Sequence, residues 1–413
     1  MAIDTAAVGS PSKPRFAALP PLALYVHIPW CIRKCPYCDF NSHEQRGALP
    51  ETEYVDALIA DLEFALPLIW GRRVGSVFFG GGTPSLFAAA AIDRILAAIR
   101  ARVALAPDAE VTLEANPGTF ERMKFAGFKA AGVNRLSLGV QSFNPAHLRA
   151  LGRVHDDREA RTAVAAALEI FDNINLDLMY ALPGQTPGGA RADAVAALEF
   201  SPPHLSFYHL TIEPNTLFHR HPPALPDEDT AAEIEDELEA ALVKAGYRHY
   251  ETSAFAKTGR ECRHNLNYWQ FGDYLGIGAG AHSKLSFAER IVRQIRHRQP
   301  QQYLAAVASG TPLAEQRELS RADAGFEFML NVLRLTDGFP VSQFAERTGF
   351  ALASVQRELA EAERRGLLER DHQRIRPTPL GRRFLNDLQA IFLPPESPSG
   401  GAVASRTLAR TTQ

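Results

Sequence analysis

Cys31, Cys35 and Cys38 are three of the four cysteines in the chain, and they fall on one short stretch. The apolar run Leu24 to Ile28 ahead of them reads as a buried strand that Pro29 ends, so the thiols sit on a loop at a strand's end. Iron–sulfur clusters usually take four thiolates, and structural zinc takes four ligands. Only three are local here, and Phe40 stands where a further cysteine could have followed. A four-iron cubane held by three thiolates keeps one iron open to a ligand that is not protein, which makes a reactive site rather than a staple. The competing reading is a zinc site completed by His27 or His43. A disulfide does not suit a chain that otherwise reads as intracellular.

The elements that must position this loop alternate regularly. Helical apolar spacing covers 51–66, a β-prone run covers Val74 to Phe79, and a helix follows over Ala88–Ala104. Strand Val111–Glu114, helix Phe120–Ala131 and strand Arg135–Val140 continue the pattern. Helix Arg158–Phe171 precedes strand Ile174–Met179, and helix Ala190–Phe200 precedes strand Leu205–Thr211. Strands alternating with helices predict βα units and a parallel sheet. Counting the strand before the cysteines there are six, short of the eight of a closed barrel, so the expected fold is α/β, a partial, open (β/α)6 barrel.

In such a barrel the strand ends share one face. The cysteines follow strand one, Gly80-Gly81-Gly82-Thr83-Pro84 strand two, and Glu114-Ala115-Asn116-Pro117 ends strand three. Gln141 ends strand four, Asp177 lies late in strand five, and His209 and Glu213 end strand six. Each has a bland account: the glycines as a tight turn, Glu114 as a cap, Gln141 as a buried hydrogen bond, Arg153 with Asp177 as an ion pair. A glycine loop equally lets a ligand approach the backbone closely, and it lacks the Lys and Ser/Thr of a phosphate-binding P-loop. Arg153 suits a carboxylate, which its planar fork binds bidentately.

The strings YVHIPWCIRKCPYCDFNSH, FFGGGTPS, LEANPGT, LSLGVQSF, LGRVH and NLDLMYALPGQ resemble the coproporphyrinogen-dehydrogenase-like branch of the radical S-adenosylmethionine (SAM) superfamily, from about Leu24 to beyond Arg334. The resemblance implies a radical SAM barrel and a [4Fe-4S] cluster on Cys31, Cys35 and Cys38 with SAM chelating the open iron. It places Tyr25, Gly80, Gly81, Gly82, Thr83, Glu114, Gln141, Arg153 and Asp177 at SAM-contacting positions, with Tyr37 holding adenine through its backbone.

A second stretch, ECRHNLNYWQFGDYLGIGAGAHS, is aromatic and glycine-rich and carries Cys262, His264 and His282. His264 has a structural account as a buried hydrogen-bonded histidine, and Tyr268 and Trp269 as core aromatics. The functional account is a tetrapyrrole site, since imidazole ligates heme iron and flat aromatics stack on a macrocycle. His264-Asn265-Leu266-Asn267-Tyr268-Trp269 is similar to the HNxxYW motif of the heme chaperones of this branch. The dehydrogenases have a fourth cysteine two residues after the triplet and lack the motif, whereas this chain has Phe40 and the motif. The resemblance therefore implies binding of heme at His264, with Tyr268 and Trp269 shaping the site, and transfer to acceptor hemoproteins, membrane-associated ones among them. The alternative is an oxygen-independent coproporphyrinogen III dehydrogenase or another radical SAM reaction on a tetrapyrrole. Cys262 is an alternative heme ligand, though an unpaired thiol is more often a small buried residue. By the same alignment His282 lies near SAM.

The 413 residues suffice for one large and one smaller domain, and 46% hydrophobic with 22% charged residues is ordinary globular composition. A net charge of −3 gives no global reason to expect nucleic-acid binding. No apolar run reaches the ~18 residues of a membrane helix. Residues 1–20 read as a disordered tail without the apolar core of a signal peptide, and the expected location is cytoplasmic. The barrel and its extension occupy 21–320. Residues 321–393 read as helices near Phe326–Leu335, Val341–Thr348 and Ala351–Arg365, then a hairpin and helix in LLERDHQRIRPTPLGRRFL, resembling a winged-helix α+β module. Its arginines alternate with acids, which fits a solvated face and not DNA contact. Residues 394–413 read as a disordered tail.

Overall fold

A computed structural model describes residues 13–118 and 121–394. Six strands, β1 (Leu22–Ile28), β2 (Arg73–Gly81), β3 (Ala104–Ala115), β4 (Arg135–Gln141), β5 (Ile174–Tyr180) and β6 (His204–His209), lie side by side in parallel. Helices α1 (Glu51–Ile69), α2 (Ala89–Arg102), α3 (Glu121–Ala131), α4 (Asp157–Ile170) and α5 (Pro187–Glu199) connect them on the outside. This is the expected partial barrel, and its period-two pattern sets what faces where. Val26 and Ile28, Val77 and Phe79, Val111 and Leu113, Leu136 and Leu138, and Leu176 and Leu178 join the helices' Leu58, Ile95, Phe125 and Val164 in one core. The alternate positions, Tyr25, Ser76, Glu114, Ser137, Asn175, Asp177, His204 and Ser206 among them, turn to the barrel's inside. Pairing sets Glu114 beside Ser137, Ser137 beside Asn175, and Asn175 beside His204.

After β6 come α6 (Glu228–Lys244), the antiparallel strands β7 (Arg248–Glu251) and β8 (Ala254–Ala256), and the short helix α7 (Arg263–Trp269). The chain then returns to the other edge: β9 (Asp273–Ile277) pairs in parallel with β1 and makes a seventh parallel strand. Antiparallel β10 (His282–Phe287), β11 (Arg290–Arg296) and, beyond α8 (Pro300–Ala308), β12 (Leu313–Glu318) widen the sheet to twelve strands. The glycine-rich stretch that reads as a ligand site is thus partly sheet. Its Gly276 and Gly278 pass so close to the His282 and His27 backbones that a side chain would collide, at 2.1 and 2.4 Å.

The C-terminal part has its own core around Phe328, Phe344, Leu359 and Ile375, which also takes in Phe271 and Ile291 from the barrel side. Helices α9 (Arg321–Val332), α10 (Val341–Thr348) and α11 (Gln356–Arg364) pack with a small sheet of β13 (Phe339–Pro340), β15 (Arg374–Pro377) and β14 (Leu368–Arg370), in that order. Residues 13–20, assigned by composition to a loose tail, instead run along this module. Arg15 N donates to Gly349 O at 2.8 Å, and Phe16 packs on its core. The remainder of the expected tails, 1–12 and 395–413, lies outside the described residues.

Candidate functional site

The cysteine loop leaves β1 at Pro29 and is closed by a short parallel pairing of Trp30–Cys31 with His43–Glu44. All three thiols are free and partly exposed. Each has a polar neighbour: Thr83 Oγ1 donates to Cys31 Sγ at 3.6 Å, Arg153 Nη1 to Cys35 Sγ at 3.5 Å, and Cys38 Sγ lies 3.6 Å from Ser42 Oγ. Burial pushes the Cys31 thiol up to about 11, which a bound metal would reverse by drawing off the proton. Among the described residues no three His, Cys, Asp or Glu side chains converge tightly enough for one metal ion. His27 spends both ring nitrogens inside the protein, Nδ1 with Tyr25 Oη at 3.0 Å and Nε2 with the Asn41 carbonyl at 2.9 Å. A zinc site completed by His27 therefore does not fit, whereas three thiols on one loop, flanked by hydroxyl and guanidinium donors, fit an iron–sulfur cluster.

Behind the loop the glycine triplet is sterically required. A Cβ on Gly81, whose φ is +113°, would stand 2.4 Å from the His27 ring, and one on Gly82 2.5 Å from Trp30 O. The amides of Gly82 and Thr83 donate to Ile28 O and Trp30 O at 2.8 and 2.7 Å. Close packing against the cysteine loop thus accounts for Gly81 and Gly82. Gly80 differs, because its Cβ would press on Tyr25, Phe78 and Glu114, which face the barrel's inside. Glu114 Oε2 accepts from Gly81 N at 3.2 Å. Its carboxyl is pushed up to about 8, first by burial and then by Asp177, against the pull of that amide and Arg135.

Arg153 and Asp177 do not form an ion pair. Arg153 instead donates to Asn116 Oδ1 at 2.6 Å and to Gly139 O at 2.8 Å, while Asn116 Nδ2 donates to Thr83 Oγ1 at 2.8 Å. A chain of bonds therefore runs from Cys35 through Arg153, Asn116 and Thr83 to Cys31. Asn116 is the member that residue-type reasoning did not single out, and its signal was the Asn-Pro after strand three. Asp177 accepts from Ser137 Oγ at 2.7 Å and Asn175 Nδ2 at 2.8 Å, yet burial still raises its carboxyl. Gln141 holds a left-handed backbone, φ 67°, at the end of β4 beside Gly139. Tyr37 lies over an apolar cluster of Leu151, Met179, Leu182, Leu210 and Phe218, its ring 6.3 Å from Phe218. Tyr25, the glycines, Thr83, Glu114, Gln141, Arg153 and Asp177 therefore share the barrel's inner wall and mouth with the cysteines.

The HNxxYW helix lies elsewhere. Helix α7 meets β2 at Ser76 and β3 at Glu110, each four residues before Gly80 and Glu114 on the same strands. Its first amides are held by one inward carboxylate: Glu110 accepts from Arg263 N at 3.1 Å and His264 N at 3.0 Å, with Cys262 Sγ at 3.5 Å. His264 is 3% exposed, bonded through Nδ1 to Ser76 Oγ at 2.9 Å and stacked on Phe78 at 4.9 Å. Its Nε2 is buried with no partner, and burial with Arg135 nearby lowers the imidazole to about 3, so the ring is neutral. Tyr268 stacks on Tyr274 at 4.1 Å, and the Arg334 guanidinium covers Trp269 at 4.3 Å. Cys262 is fully buried and pushed up to about 12, the behaviour of a packed thiol. His282 opens β10 opposite Ile295, on the sheet extension.

Three cysteines at the end of the first strand of an open parallel barrel, with a polar inner wall, define a radical SAM protein. Residues 25–193 match the Radical SAM superfamily and residues 319–384 the HemN C-terminal domain. The solved structure of coproporphyrinogen III oxidase (HemN) from Escherichia coli superposes with a TM-score of 0.77 at 27% identity, covering 91% of this chain and 90% of that one. Heme chaperone HemW of Escherichia coli (strain K12) is 47% identical over 91% of this chain and 99% of its own length. HemW of Haemophilus influenzae is 45% identical over 92% and 99%. A mitochondrial radical S-adenosyl methionine domain-containing protein 1 of Bos taurus is 36% identical over 90% and 87%. The chain belongs to the heme chaperone HemW family. Among the described residues no helix is long and apolar enough to cross a membrane.

Proposed function

We propose that this protein binds heme in the cytoplasm and delivers it to acceptor hemoproteins, with a [4Fe-4S] cluster on Cys31, Cys35 and Cys38 and SAM in the barrel mouth. The observation that carries the heme assignment is His264: a neutral imidazole in an HNxxYW helix, with Nε2 left without a partner in the protein. With α7 seated as described, the His264 ring is buried among Tyr25, Phe78 and Tyr268, so heme reaches Nε2 only when α7 lifts from Glu110. Tyr268 and Trp269 then supply flat apolar surface to the macrocycle. At the other mouth, Glu114 and Asp177 accept from the SAM ammonium or ribose hydroxyls, Arg153 meets its carboxylate, and Gly80 leaves room for it. Tyr25, Gly81, Gly82, Thr83 and Gln141 complete that wall, and the backbone of Tyr37 holds adenine. A bound and reduced cluster would supply the one electron that cleavage of the SAM sulfonium takes; the protein's part is to orient the ligand and exclude water. Residues 321–393 form a separate module that covers the barrel or meets a protein partner, with no role on DNA.

The second reading is favoured by the superposition on coproporphyrinogen III oxidase. Phe40 and the HNxxYW motif separate this chain from it. Anaerobic reconstitution followed by iron, sulfide and heme quantification, a hemin titration and a heme-transfer assay tests the proposal. We expect brown protein, a Soret band that weakens in His264→Ala, and no product from coproporphyrinogen, SAM and reductant. Protoporphyrinogen formation overturns the chaperone assignment, and equal Soret spectra in both proteins remove His264 from it.

A further inference from the structure

Parallel pairing brings the end of β2 beside the end of β3 and sets Thr83 next to Asn116, one residue beyond β3. Pro117 disfavours a helical backbone at Asn116, so the extended course of β3 carries on to it. The Asn116 amide then meets two side chains of opposite need. Arg153 has donors only, so the amide atom that faces its Nη2 at 2.6 Å must be the oxygen. The nitrogen is left for Thr83 Oγ1 at 2.8 Å, and there it must donate. A hydroxyl that accepts from Asn116 keeps its own proton free, and Thr83 gives that proton to Cys31 Sγ at 3.6 Å. Arg153 Nη2 donates to both Asn116 Oδ1 and Gly139 O, which fixes the guanidinium with Nη1 on Cys35 Sγ at 3.5 Å. The neighbouring strand makes room for the amide: a Cβ on Gly139 would stand 2.6 Å from Asn116 Oδ1. One amide therefore sets the direction of two donors, each ending on a different cysteine.

We propose that Asn116 is a positioning residue of the cluster site, aiming one hydrogen bond at each of the Cys31 and Cys35 sulfurs and thereby raising the cluster's reduction potential. The proposal rests on the [4Fe-4S] reading above. Reduction adds one negative charge, and donors at the ligand sulfurs stabilise the reduced cluster more than the oxidised one. The position needs a side chain that both accepts and donates. Aspartate would hold Arg153 but has no proton for Thr83, whose hydroxyl would turn to the carboxylate and leave Cys31. Leucine fills a similar volume and does neither.

The test is an EPR-monitored redox titration of anaerobically reconstituted protein without SAM, poised with dithionite and viologen mediators, with iron and sulfide counted. The proteins are wild type, Asn116→Leu, Asn116→Asp, Thr83→Val and the double variant Asn116→Asp/Thr83→Val. We expect Asn116→Leu to shift the one-electron equilibrium tenfold towards the oxidised cluster, a midpoint about 59 mV lower. Thr83→Val, which loses only the bond to Cys31, should shift it in the same direction and by less. Asn116→Asp also lowers the midpoint through its added charge, but by less in the Thr83→Val background, where the hydroxyl it would turn away is gone. A role in packing alone lowers Tm or cluster content and leaves the midpoint of the retained clusters at the wild-type value; that result in Asn116→Leu overturns the proposal. If Asn116→Leu retains no cluster, the two Asn116→Asp proteins decide, and equal shifts with and without Thr83→Val overturn it. A wild type that takes up no iron and sulfide sinks the cluster reading itself, and so is distinguishable from a cluster whose potential ignores Asn116.

Discussion

Replacing Glu114 with glutamine removes a carboxyl that the fold holds protonated. At about 8, it carries its proton roughly nine times in ten at pH 7. A cationic SAM ammonium favours the carboxylate, so binding at pH 7 must first drive that proton off, costing about 1.4 kcal/mol, or about tenfold in affinity. Above pH ~9 the group is already ionised and the cost vanishes. The ligand's own amine titrates in the same range, at about 7.7–8.0, but does so equally for both proteins and cancels in their ratio. The ratio of Kd in Glu114→Gln to Kd in wild type should therefore rise about tenfold from pH 7 to pH 9. Calorimetry on anaerobically reconstituted protein, in buffers of different ionisation enthalpy, should also show wild type releasing close to one more proton than the variant at pH 7. A ratio that stays constant across that range, with equal proton counts, refutes the placement of Glu114 against the ammonium. Stability supplies a separate check on the shift itself. Because the folded value lies above the ordinary 4.5, stability from protonated Glu114 is present below that value and is lost as pH rises through about 8. Glu114→Gln should thus raise the Tm of the SAM-free protein more at pH 8 than at pH 5.

Two further substitutions probe how the sites are built. Glu110→Gln weakens the acceptor that holds the first amides of α7, costing about 1–3 kcal/mol. Amide exchange in 263–269 should accelerate while that of β4 stays slow, and unchanged exchange would show that α7 is seated by its aromatic contacts alone. Gly81→Ala forces a side chain into a left-handed backbone and against the His27 ring, for about 1–3 kcal/mol of overpacking beyond the backbone term. A lower Tm and loss of cluster iron are expected; full iron retention at wild-type Tm would contradict the steric account.

The amino-acid sequence on its own determined the cysteine loop, the alternating strands and helices, and the ends of six strands. Those features are local: Cys31, Cys35 and Cys38 lie within one loop, and the inward and outward faces of Leu136 to Gln141 follow from period two. The HNxxYW string was legible for the same reason. Only the tertiary structure decided that Gly81 is required by His27 and that Arg153 bonds Asn116 rather than Asp177. It alone placed β9 against β1, and it alone put His264 under the barrel with its amide on Glu110, 154 positions earlier in the chain. Each of these is a contact between distant segments. Composition and periodicity carry nothing about which buried carboxylate will meet which helix end, because that choice follows from the packing that brings the strands together.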